Sequence, residues 1–264
     1  MHQLRPGLHA VRRDDDHLQV GVDPPWRLVV PDEPDVRRLL ADLTLGHPAR
    51  PETESGHRVL RSLHAAGMLV DPGVVTTATR SRAAATVSVQ ATGPAAVDAA
   101  RLLRAAGCPV APPDASPGAA TVALVIAEGE PRREVVDAHL RDGRAHLPVT
   151  ATPGGFTLGP FVVPGTTACL RCVDAHRGTH DPRRAVVVEQ LAGRDAGPAD
   201  PALAAIATAW AVRDVLSYVD GEQPSTWSAT IELRPDLEQR RRAWTRHPHC
   251  GCAWDLALAA GDHH

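Results

Sequence analysis

The chain has 264 residues, of which 43% are hydrophobic, 22% charged and only 3% aromatic, with a formal net charge of −3. That length fits two modest domains with cores of Val, Leu and Ala, and the near-neutral charge argues against a strongly electrostatic nucleic-acid binder. All 28 basic residues are arginine and there is no lysine, which excludes Schiff-base lysines, phosphate-loop lysines and lysine general bases.

The first segment reads as strands followed by helices. Leu8 to Arg13 alternates weakly and Asp14-Asp15-Asp16 is a turn. His17 to Val22 alternates again, with Leu18, Val20 and Val22 on one face. Asp23-Pro24-Pro25 breaks that strand, and Trp26 to Val30 is a third. A helix opens at Asp32 or Glu33, with Pro34 in its first turn, and Val36, Leu39, Leu40 and Leu43 form its apolar stripe. A second helix runs from about Thr53 to Ala66 on Val59, Leu60 and Leu63, and Gly67 to Val70 is a short strand. This pattern predicts a winged-helix-like module over residues 1–75.

Residues 76–85 are small and polar and read as a linker. Residues 86–264 then alternate strand and helix. The strands are Thr86–Gln90, Ala120–Ala127 and His146–Thr150, and the helices are Ala95–Ala106 and Arg132–Asp142. This predicts a three-layer α/β domain, so the chain as a whole is α+β. Cys108 to Ala119 is a Pro-rich loop, and Gly154-Gly155 is a turn. Asp200-Pro201 caps a long, nearly apolar helix to about Val219, and Thr226–Leu233 with Glu238–Trp244 forms a hairpin. His263-His264 reads as a frayed tail. No apolar run approaches the ~20 residues of a membrane span. Met1 to Pro6 has no apolar signal core. The expected location is cytoplasmic, with reduced cysteines and no membrane partner.

Four of the five cysteines fall in two close pairs, Cys169-x-x-Cys172 and Cys250-x-Cys252. Two thiolate pairs from distant segments are the usual way to close a structural zinc site. His247 and His249 stand beside the tighter pair as substitute ligands. Two disulfides or unrelated buried thiols are the alternatives. A closed four-ligand site leaves no open position for chemistry, so the expected role of the zinc is structural.

Three stretches carry a family resemblance: Gly159-Pro160-Phe161-Val162-Val163-Pro164-Gly165, then Cys169-x-x-Cys172-x-Asp174-x-x-Arg177, then His247-Pro248-x-Cys250-Gly251-Cys252. They resemble the E1-like (ThiF-like) partner proteins of the cyclodehydratases that form thiazole and oxazole rings in peptides. The resemblance implies an N-terminal module that binds a precursor's leader peptide. It also implies a ThiF/E1-like Rossmann-type domain with a zinc tetracysteine, and a separate YcaO-type cyclodehydratase partner. The chain departs from active members at Gln90-Ala91-Thr92-Gly93-Pro94-Ala95, where one glycine and a proline replace a Gly-x-Gly-x-x-Gly turn. With no lysine either, ATP is not expected as a cofactor, and the domain reads as a degenerate scaffold without catalytic residues.

Leader binding by strand addition needs an edge strand and a flanking groove. Here the strand is Trp26, Arg27, Leu28, Val29 and Val30, with Trp26, Leu28 and Val30 facing the core. Arg58 and Arg61, one turn apart on the second helix, face an acidic leader. The alternative functions are an adenylyltransferase acting on a peptide or protein carboxylate and, more weakly, a winged-helix DNA-binding regulator. A homodimer is left open. Cys108 reads as a small core residue, and Arg240-Arg241-Arg242 as a solvated strand edge.

Overall fold

The computed structural model describes residues 2–112, 115 and 119–253, which form two compact units, Met1–Ala78 and Thr79–His264. The tail at His263-His264 and part of the Pro-rich loop lie outside the described residues.

In the first unit, β1 (Gln3–Leu4) is followed by β2 (Ala10–Arg12), β3 (His17–Val20) and β4 (Leu28–Pro31), then by α1 (Pro34–Leu45), α2 (Glu54–Ala65) and β5 (Leu69–Val70). The strands β2-β3-β4 make an antiparallel sheet with β4 at one edge, and β1 pairs with β5 in a two-stranded ribbon. Pro34 sits in the first turn of α1, which ends at Gly46 in the left-handed region (φ 71°). The stripe Val36, Leu39, Leu40 and Leu43 is buried against Val20, Val30, Val59, Leu63 and Met68. The Thr53 hydroxyl caps α2 by accepting from Gly56 N–H.

The third strand is displaced from its expected position. It begins at Leu28 rather than Trp26, and β3 stops at Val20, leaving Val22 76% exposed. Gly21 has φ +72°, and a Cβ there would lie 1.8 Å from Trp26 O. The chain therefore folds tightly back on itself, and Trp26 N–H donates to Asp23 O at 3.1 Å. Trp26 belongs to this turn. It is 43% exposed, with the Arg5 guanidinium 5.0 Å over its ring, and is not a core residue. Leu28 and Val30 do face the core, and Val29 faces out.

Residues 76–85, read as a polar linker, are instead nearly all helical within α3 (Pro72–Ala84). Pro72 opens it, the Asp71 carboxylate accepts from Gly73 N–H at 2.8 Å, and near its end Arg82 is bound by the Asp220 carboxylate at 2.8 Å. Local capping and one ion pair outweigh the small, polar composition.

The second unit continues with β6 (Val87–Gln90), α4 (Gly93–Ala105), β7 (Val122–Ala127), α5 (Arg133–Arg141), β8 (Ala145–Thr152), β9 (Gly155–Leu158), α6 (Leu170–Gly178), α7 (Arg184–Leu191), α8 (Pro201–Val219), β10 (Ala229–Leu233) and β11 (Gln239–Ala243). One six-stranded sheet has the order β11-β10-β9-β8-β7-β6. β6, β7 and β8 are parallel through two βαβ crossovers, and β8 to β11 are antiparallel. Val122 and Leu124 of β7 and Leu147 and Val149 of β8 share one core with α4 and α8. On the other face His146 of β8 lies against His139 of α5, ring centroids 5.3 Å apart. The sheet is covered on both faces, as its apolar strands require. Cys108 is buried in the main core, and burial raises its thiol pKa.

The alternation of residues 155–158 escaped the sequence reading because only the turn before them was recognised. α7 escaped because its apolar residues Val186 and Val187 face solvent and leave no stripe. α8 corrects another expectation. By length and composition it is apolar enough to cross a membrane, with a mean hydropathy of 1.3, and half of that window is buried. Leu203, Ala207, Ala211 and Val215 place it in the core of this unit.

Candidate functional site

The two cysteine pairs converge. Cys169 is the N-cap residue of α6 and Cys172 lies in its first turn, so i and i+3 face the same way. Cys250 and Cys252 follow β11 in a loop that ends in a 3-10 turn at Gly251–Ala253. Their four Sγ atoms all lie within 4.8 Å of one another. Cys169 Sγ is 3.7 Å from those of Cys172 and Cys250 and 3.5 Å from that of Cys252, and Cys172 and Cys252 are 3.2 Å apart. A disulfide would need about 2.05 Å, so the two-disulfide alternative fails and all four thiols are free. A zinc tetrathiolate with bonds of about 2.3 Å spaces its sulfurs about 3.8 Å apart. The cluster therefore fits a metal ion such as zinc, held by Cys169, Cys172, Cys250 and Cys252. Such an ion would supply a closed cross-link rather than chemistry.

Hydrogen bonding among the four sulfurs pulls the thiol pKa values apart, with Cys169 pushed up and Cys172 and Cys250 pushed down. The Cys172 thiol is pushed down, first by hydrogen bonding from Cys169 and also by the backbone N–H of His247, which points at its sulfur from 3.3 Å. Val162, Ala168, Val173 and Trp244 pack against the cluster, and of its four thiols only that of Cys252 is partly exposed. The segment before α6 is fixed by the Thr167 hydroxyl, which donates to Phe161 O at 2.9 Å, and by the Ser228 hydroxyl, which accepts from Ala168 N–H at 3.0 Å. His247 and His249 do not join the four sulfurs; His247 Nδ1 accepts from His249 N–H at 3.2 Å.

Asp174, His176 and Arg177 support the site from outside. Asp174 receives Arg133 Nε at 2.7 Å and Arg184 Nε at 3.2 Å. His176 Nε2 bonds Thr245 O at 3.0 Å, and Arg177 lies 5.4 Å over the Trp244 ring. Sequence reasoning missed Arg133, 5% exposed and also bonded to Glu130 and Pro131. Nothing local distinguishes it from the solvated arginines that open many helices.

The proposed peptide-contacting residues form two groups. α2 packs against β4, so Leu28, Val29 and Val30 lie beside the helix that carries Arg58 and Arg61. Both arginines are exposed. Arg61 is shared with Glu54 at 3.1 Å, whereas Arg58 has no partner among the described residues. Arg27 is exposed and, with Trp26, precedes the strand.

A cavity of about 410 Å³ opens at the ends of the parallel strands, beside Thr92 and Pro94 of the altered glycine turn. In doubly wound folds this is where ligands bind.

No protein-family model and no curated protein matches the chain. Solved structures do match it. The heterocyclase TruD gives a TM-score of 0.70 at 18% identity, covering 96% of this chain and 42% of its own. A heterocyclase in complex with substrate and cofactor gives 0.68 at 17% identity, covering 96% and 39%. E. coli MccB with ATP gives 0.65 at 12% identity, covering 96% and 99%. The chain has the fold of these proteins. It spans about two fifths of the heterocyclase chains and nearly all of MccB.

Proposed function

We propose that this protein binds the leader segment of a precursor peptide and presents the peptide to a YcaO-type modifying enzyme, without catalysing the modification itself. The observation that carries this reading is the outer edge of β4, at the end of its sheet and flanked by α2. An edge strand offers unpaired N–H and C=O groups to an extended peptide, and a groove beside it takes alternate side chains. Residues 1–75 act as the winged-helix-like recognition module, 76–85 as the connection and 86–264 as the degenerate ThiF/E1-like domain. Val29 and Arg27 face the incoming strand, Trp26 offers an aromatic surface at its start, and Arg58 and Arg61 receive acidic leader side chains. A structural zinc holds the end of the second unit together. The fold shared with heterocyclase structures supports a place in azole-forming peptide modification.

The test is calorimetric titration of the full chain with short peptides encoded beside its gene. One peptide should bind saturably and lose roughly tenfold in affinity in the Arg58→Ala, Arg61→Ala double variant. Binding that survives both substitutions removes those residues from the site. Failure of every peptide, with sequence-specific binding to duplex DNA, replaces this reading with a regulator.

A second reading, nucleotide-dependent activation of a carboxylate, is favoured by the MccB structures with ATP and AMPCPP. Against it stand Gly93-Pro94 at the turn and a chain without lysine. Peptide-driven pyrophosphate exchange would establish it.

A further inference from the structure

The strand-end cavity carries the wrong charge for a nucleotide. It is walled by apolar groups, among them Ile126, Phe156 and Ala204, and three carboxylates reach its rim: Asp98, Glu128 and Asp195. Among the described residues, no arginine or histidine lines it. Within it lies Thr208, on the third turn of α8 and only 3% exposed. The Thr208 hydroxyl has no hydrogen-bond partner among the described residues. The side chain lines the cavity, so this hydroxyl is available to a guest.

Opposing terms can be weighed. First-turn residues of α4 and α8, among them Pro94 and Pro201, line the cavity, and a helix N-terminus carries roughly half a positive charge. At α8 the Asp200 carboxylate already accepts from Leu203 N–H at 2.8 Å. At α4 Pro94 removes one of the free N–H groups. Arg101 approaches Asp98 at 3.7 Å, but that pair is exposed and offsets little. Arg132 and Arg194 stand beside Glu128 and Asp195 in the adjoining cleft, but they do not line this cavity, whose own lining stays acidic. The three carboxylates do not gather around one point, for among the described residues only the four cysteines do so. A bare metal ion is therefore a poor fit, whereas a cation at the end of an apolar stem suits both wall and rim.

We propose that this cavity binds a guanidinium or ammonium group on an apolar stem, as carried by an arginine or lysine side chain of a peptide segment. The stem lies against Ile126 and Phe156, its cationic head meets Glu128 and Asp98, and Thr208 hydrogen-bonds a polar group of the bound segment. The site is separate from β4, so a variant that loses leader binding through Arg58 retains it.

The experiment is calorimetry on the full chain with Nα-acetyl-arginine amide, Nα-acetyl-lysine amide, the neutral Nα-acetyl-norleucine amide, agmatine as a free amine, and Mg-ATP. The two cationic amides should saturate, with norleucine amide weaker by at least roughly tenfold. Glu128→Gln with Asp98→Asn should weaken them by about tenfold and flatten their salt dependence. Both side chains sit at the cavity rim, so this double variant folds, as circular dichroism will check. Thr208→Val should weaken binding by about threefold. No saturation by either amide, equal binding of norleucine amide, unchanged affinity in the carboxylate variant, or competition by Mg-ATP would overturn the proposal. Agmatine binding at least roughly tenfold tighter than the arginine amide would overturn the peptide source.

Discussion

Replacing Cys172 by serine tests the metal centre most directly. Cys172 Sγ lies 3.2 Å from Cys252 Sγ and 3.7 Å from Cys169 Sγ, fully buried, and receives the His247 N–H. A hydroxyl there is a shorter and poorer zinc ligand, and it leaves three thiols, those of Cys169 and Cys250 buried, around an incomplete shell. Structural zinc contributes about 10–16 kcal/mol of apparent binding free energy, comparable to the whole stability of a typical domain, about 5–15 kcal/mol. The cluster's own apolar walls cannot replace it, since they amount to little more than Val162, Ala168, Val173 and Trp244. The main core around α8 is a separate cluster. The expected failure is therefore local, with the segment after Trp244 released and the sheet retained. Mass-spectrometric metal analysis should give about one zinc per wild-type chain and well under half in the variant. Limited proteolysis should cut the variant near residues 244–252 while the rest of the second unit resists. A variant that keeps a full equivalent of zinc, or a folded wild type that carries none, refutes the reasoning. Cys252→Ser should behave alike, and retention of metal there would bring His249 in as the fourth ligand.

Two further predictions concern the start of α2. Asp35 takes N–H bonds from Thr53 at 2.9 Å and Glu52 at 3.1 Å, and the Thr53 hydroxyl at 2.8 Å. These bonds, led by the Thr53 N–H, pull its carboxyl from 3.8 down to about 2. The folded-state value lies below the unfolded one, so its stabilisation is full above about pH 4 and is lost as pH falls toward 2. The melting-temperature gap between wild type and Asp35→Asn should shrink between about pH 5 and about pH 2.5, and a constant gap would count against it. Gly56→Ala should destabilise by about 1–3 kcal/mol even though alanine gains about 1 kcal/mol in helix propensity. The added Cβ would lie 2.3 Å from Asp35 Oδ2 and 2.8 Å from Pro51 Cβ. Urea unfolding that shows a more stable variant would refute the clash.

The sequence by itself determined the elements whose signals are local. The apolar stripe of α1, the capped start of α8, the parallel strands of the second unit and the pairing of four cysteines were legible, because period, caps and ligand spacing are written in neighbouring residues. Tertiary structure decided whatever depends on distant partners. The close approach of Gly21 to Trp26 O took the tryptophan out of its strand. The Arg82–Asp220 pair turned an expected linker into the end of a helix. Arg133 became a buried tie rather than a surface charge because Asp174, 41 residues on, lies beside it. The metal site combines both levels. Its four ligands could be named from spacing, but only the folded sheet, with β11 at one edge and the segment leading to α6 bonded to β8 through His146 and Val162, carries the two pairs to within 4.8 Å. The sign of the strand-end cavity was likewise invisible in sequence, since Asp98, Glu128 and Asp195 come from separate segments that meet only where the parallel strands end.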